Sequence, residues 1–134
     1  MTLTDISERI RDHLLNQRSR SVSHGSLCCY HGDDGNMCAV GCLLGGFYDG
    51  AMEGQTVNTT IVFNAVVDSC DYTGDRTKLL EALCAWQRYH DHRVNLEGVS
   101  KAFGYGEWLA ENGDVPDSMH SPARFHEYLV RNLL

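Results

Sequence analysis

Residues 28–42 constrain this chain more than any other stretch: they hold four of the six cysteines and a cluster of turn formers, Gly32-Asp33-Asp34-Gly35-Asn36. Such a cluster supplies the positive-φ positions a tight reversal needs, so only short elements fit beside it. Residues 27–31 read as a short strand, with Met37 and Cys38 as its returning partner. Residues 39–44 open a short helix, which the Gly45-Gly46 pair stops.

Around this stretch the pattern is helical. Ile6, Ile10 and Leu14 recur every four residues while Glu8, Arg9, Arg11 and Asp12 face out, predicting an amphipathic helix that Thr4 caps and that ends near Gln17. Residues 18–26 form a polar, breaker-rich connection. Residues 57–70 are rich in β-branched side chains, which favour a strand, yet Val57, Ile61 and Ala65 also share a helical face, and the helix is preferred. Asp75 caps a helix with Leu79, Leu80, Leu83, Cys84 and Gln87 on one side, running to about His92. A weaker helical segment is expected within residues 97–112. Ser121 and Pro122 start the last helix, lined by Phe125, Leu129 and Leu133. The expected fold is α+β: one domain over residues 1–134, mainly helical, with one small β-hairpin around 32–36.

A chain of 134 residues can bury a core without disulfide staples. Residues 1–14 contain no apolar run for a signal peptide, and the longest apolar clusters, 38–44 and 61–67, are too short for a membrane span. The expected compartment is the cytoplasm, where thiols stay reduced and most of the cysteines act as small buried hydrophobes. The formal net charge of −7 disfavours direct nucleic-acid binding and suits a partner with a basic surface.

Three kinds of chemistry can be drawn from the side chains. Cys29, Cys38 and Cys42 with His31 contain the donor types of a zinc site, but only Cys38 and Cys42 form a short-spaced pair, and adjacent Cys28 and Cys29 point to opposite faces of a strand. Buried thiols are the plainer reading, so no cofactor is expected. Cys38 at a helix start, with His90 as base and Asp91 as its orienting acid, would follow the logic of thiol catalysis, although adjacent residues on a helix diverge by about 100°. His90 and His92, two positions apart on one helix, also diverge as metal ligands. The acidic turn lacks the alternating oxygens and terminal glutamate of a calcium loop, and no Lys-Ser/Thr follows the glycines to make a phosphate loop. Among the aromatic residues, Tyr89, Tyr105 and Trp108 are least committed to a core stripe, and with Arg93 they make a candidate partner surface.

The series Cys29-Tyr30-His31-Gly32, Gly35, Cys38-Ala39-Val40-Gly41, Glu53-Gly54, Leu83, Gln87 and His90-Asp91 resembles a pattern in small phage- and mobile-element-encoded proteins. The resemblance spans residues 3–92. Where that pattern has arginine after the tyrosine, this chain has His31. It implies a small cytosolic accessory protein with no established reaction. The expected function is therefore non-enzymatic: binding and modulating a host or defence protein, an anti-CRISPR-like inhibitor being one member of that class. The alternative is a small enzyme or zinc protein built on Cys38, His90 and Asp91. A homodimer is a third use for an exposed patch.

Overall fold

Five α-helices carry the architecture of the computed structural model, which describes residues 1–17, 22–23, 27–28, 30–32, 35–91 and 122–134. Helix α1 spans Leu3–Gln17 and buries Ile6, Ser7, Ile10 and Leu14 on one face. Its cap lies earlier than expected. Thr2 and Asp5 bond reciprocally, Asp5 N–H to Thr2 Oγ1 at 3.1 Å and Thr2 N–H to Asp5 Oδ2 at 2.8 Å, satisfying orphan donors of the first turn. Helix α2 is one turn, Gly41–Leu44, followed by the 3-10 turns Gly45–Phe47 and Gly50–Met52.

Residues 57–70, divided between strand and helix by their sequence, are helical over Thr60–Ser69, here α3. Burial of Val62, Ala65 and Val66 on one face outweighs β propensity. The helix closes with Tyr72 N–H on the Val67 carbonyl and Asp71 N–H on that of Asp68, Asp71 holding a φ of +47°. Helix α4, Arg76–Asp91, starts on Asp75, whose carboxylate accepts the Lys78 N–H at 3.0 Å. Helix α5, Pro122–Asn132, buries Phe125, His126, Tyr128 and Leu129. The weak helix expected within 97–112 lies outside the described residues.

Helix α1 packs against α4 and α5 on one side and against α2 on another, while α2 leads on to α3. The α1–α4–α5 layer closes on an aromatic cluster. The Phe125 ring stacks on Tyr89 at 4.5 Å and meets Trp86 edge-on at 4.9 Å. Such pairings add about 0.5–1.5 kcal/mol each beyond the area they bury.

The α+β expectation is corrected: the described fold is helical, with no sheet layer. Residues 22–23 and 27–28 pair over two rungs. The expected hairpin around 32–36 is reduced to a turn with one isolated bridge between His31 and Met37. Its reversal is real, with Gly35 at φ +84° and Gly32 N–H on the Asn36 carbonyl at 2.8 Å. The ladder stops beside it, where a side chain takes a donor it would use, the Tyr30 N–H, and other side chains hold the outward-facing groups of His31 and Met37. Tyr30 and His31 donate their N–H groups to Glu53, and Met37 is held by Gln17. Among the described residues, no helix is long and apolar enough to cross a membrane.

Candidate functional site

The described residues of the cysteine-rich stretch build a buried, largely irregular part of the molecule. Cys38, Ala39, Val40, Gly41, Leu43 and Leu44 are all buried, although most of their backbone lies outside any long helix. Buried backbone needs hydrogen-bond partners, and here distant side chains supply them. The Glu53 carboxylate accepts Tyr30 N–H on Oε1 at 2.8 Å, and His31 N–H on Oε2 at 3.0 Å. The Tyr48 hydroxyl donates to the same Oε2 at 2.7 Å. Tyr30 in turn donates its hydroxyl to the Gln55 carbonyl at 2.5 Å.

His31 lies flat on Tyr48, ring centroids 3.8 Å apart, and its Nε2 is 3.4 Å from the Gly41 carbonyl. Gly41 itself runs so close to Tyr30 that a Cβ there would overlap the Tyr30 carbonyl. Gln87 of α4 reaches in to accept Val40 N–H at 3.3 Å. From α1, Gln17 makes two bonds to Met37, accepting its N–H and donating to its carbonyl, both at 2.8 Å. His13 Nε2 adds a second contact to that carbonyl at 2.9 Å.

Chemically, this arrangement holds a loop. Three donors converge on Glu53, so using the carboxylate as a base would disturb the clamp on Tyr30 and His31. The Cys38 and Cys42 thiols are similarly committed. Cys38 is fully buried, and its Sγ accepts Gly41 N–H at 3.2 Å. Cys42 donates to the Ala39 carbonyl at 3.1 Å, and burial, with Cys38 adding to it, pushes its thiol up to about 12. Burial also raises Cys70, against the opposing effect of Arg9. A thiolate nucleophile needs the reverse environment.

Of the zinc donors expected from the sequence, Cys38, Cys42 and His31 are described and Cys29 is not. Among the described residues no group of three or more His, Cys, Asp or Glu side chains is placed to hold a metal ion. His90 and Asp91 occupy the end of α4, but their side chains lie outside the described residues. So do Arg93, Tyr105 and Trp108 of the candidate partner surface. Its fourth member, Tyr89, is corrected: the ring is fully buried against Phe125 and Trp86.

Sequence reasoning gave no structural role to the polar residues that matter most here, Glu53, Gln17, Ser7 and His126, although Glu53 stands in the series that carries the resemblance. Ser7 and His126 are buried and bonded to each other in the α1–α4–α5 layer, Oγ to Nδ1 at 2.7 Å. Ser7 follows Ile6 on the apolar side of α1, which is its only signal in the sequence. Glu53 and Gln17 carry no local signal, because the backbone groups they hold lie 20 to 23 residues away. Comparison with protein-family models, curated proteins and solved structures gives no match for this chain.

Proposed function

We propose that this chain is a non-enzymatic accessory protein of the phage or mobile-element type, which binds a host or defence protein and modulates it. The observation that carries the reading is the burial of Cys38, with its sulfur engaged by Gly41 N–H. A thiol enzyme would need that residue in an open cleft with a base. The residues on which the resemblance rests point the same way: Tyr30, His31, Gly41, Glu53 and Gln87 are consumed in holding one loop together. The net charge of −7 favours a partner with a basic surface, and electrostatic steering would speed that encounter. The reading places the protein in the cytoplasm, the host's if the chain is phage-encoded. An anti-defence inhibitor fits within it.

The test has two arms. Ellman-type titration of the reduced native protein, with metal analysis on the same sample, should find Cys38 slow until the chain unfolds and no stoichiometric zinc. In the second arm, tagged protein expressed in host cells is cross-linked, and the captured partner is purified and recombined with it. A stoichiometric complex that weakens with salt and changes the partner's activity is expected. A fast-reacting Cys38 would move the assignment to the thiol enzyme, and bound zinc would move it to the metal protein.

A further inference from the structure

The α1–α4–α5 layer contains one polar relay in an otherwise apolar interior. Ser7 Oγ of α1 accepts the Trp86 indole N–H of α4 at 2.9 Å and lies 2.7 Å from Nδ1 of His126 on α5. Trp86 is fully buried, Ser7 is 1% exposed and His126 7% exposed. One hydroxyl thus ties three helices together.

The donor inventory gives this relay an arrangement in which every member is satisfied. An indole N–H only donates, so it occupies an acceptor position on Oγ. With the hydroxyl proton turned to Nδ1, 2.7 Å away, that nitrogen is the unprotonated one of a neutral imidazole. We propose that this shared hydroxyl is an acid-sensitive latch: α5 stays docked on α1 and α4 while His126 is neutral, and undocks when the imidazole takes up a proton. In the imidazolium both nitrogens carry hydrogen. The Ser7 hydroxyl would then lose Nδ1 as its acceptor and have to turn away, and a cation would sit in a nearly buried site.

The surroundings set the direction. Burial holds the His126 pKa below the usual histidine value, and Arg11 of α1 pushes the same way. Glu8 and Asp12 of α1 and Glu127 of α5 oppose them without reversing the shift. From α4 comes the neutral indole of Trp86. A histidine with a depressed folded pKa gives stability that is complete above its unfolded value, about 6.5, and is lost as pH falls toward the folded value. Docking of α5 should therefore weaken from near neutrality downward. The latch does not depend on the identity of any partner.

The test uses the full chain. Histidine Cε1–H signals and the exchange protection of residues 122–132, corrected for intrinsic rates, are followed from pH 7.5 to 5. His126 should titrate below about 6.5, and α5 protection should fall by up to about tenfold per pH unit in that window, the slope of one linked proton. His126→Asn keeps an acceptor near the Nδ1 position without titrating, so its α5 protection should be level across the window. Ser7→Ala keeps the imidazole but removes the shared hydroxyl, and should lower α5 protection already at pH 7.5. A His126 titration at or above about 6.5 would overturn the latch. So would an α5 protection profile that ignores His126 protonation in the wild-type chain, a result that needs no variant to fold.

Discussion

The α1–α4–α5 layer and the irregular segment 30–55 both contain fully buried residues, but opposite chemistry holds them. In the layer, large side chains meet one another: Trp86, Tyr89 and Phe125 pack ring to ring, with the Ser7 relay as the polar exception. In the segment, half of the buried residues are small (Cys38, Ala39, Val40 and Gly41), and polar side chains grip the backbone. A helix satisfies its own interior peptide groups, so its contacts can be apolar. A buried loop cannot, so it must recruit Glu53, Gln17 and Gln87. Sensitivity to substitution should follow the same division.

The largest effect expected is from Phe125→Ala, which empties the centre of the aromatic cluster. A loss of about 3–5 kcal/mol is expected from denaturant unfolding, with hydrogen exchange rising first in α5. Exchange rising first in segment 30–55 would break the proposed division. Glu53→Gln keeps the shape but replaces an acceptor oxygen with an amide donor facing a backbone N–H or the Tyr48 hydroxyl. About 1.5–3 kcal/mol should be lost, with the exchange change confined to residues 30–55. A neutral result would mean that burial alone holds the segment.

Gly41→Ala tests the close approach to Tyr30. The added methyl meets backbone rather than a flexible side chain, and a loss of about 1–3 kcal/mol is expected in thermal and urea melts. Smallest should be Gln17→Ala, with about 1 kcal/mol lost. Its two bonds to Met37 lie in a partly buried site that water can re-enter. A loss as large as that of Phe125→Ala would make α1 the main anchor of the segment and erase the contrast.

The same division explains what could be read from the residues alone. Helices α1, α4 and α5 announce themselves through apolar spacing and terminal signals, because the information lies within a few turns of chain. Asp75 does cap α4, and Pro122 does open α5. The turn at Gly35 is equally local. The hairpin failed as an expectation because strands depend on what pairs with them, and here Glu53, from beyond the turn, takes the Tyr30 N–H that the returning strand would need. Tyr89 misled for a similar reason. On α4 alone it looks uncommitted, whereas Phe125, far along the chain, covers it. Even the cap of α1 shifted from Thr4 to Thr2, a choice decided by the reciprocal bonds with Asp5.

The paired hydrogen bonds of Gln17 have a consequence for self-association. Across the His31–Met37 bridge the neighbouring residues exchange the hydrogen bonds, Cys38 N–H to the Tyr30 carbonyl and Gly32 N–H to the Asn36 carbonyl, while the Met37 peptide groups turn to Gln17. Those groups would otherwise be an unpaired rung on an extended edge, available to a strand from another molecule. The side-chain amide, with one donor and one acceptor set like a peptide bond, occupies that rung. Gln17 therefore acts as a one-residue blunt end, closing Met37 to template-directed aggregation as well as fixing its place in the fold.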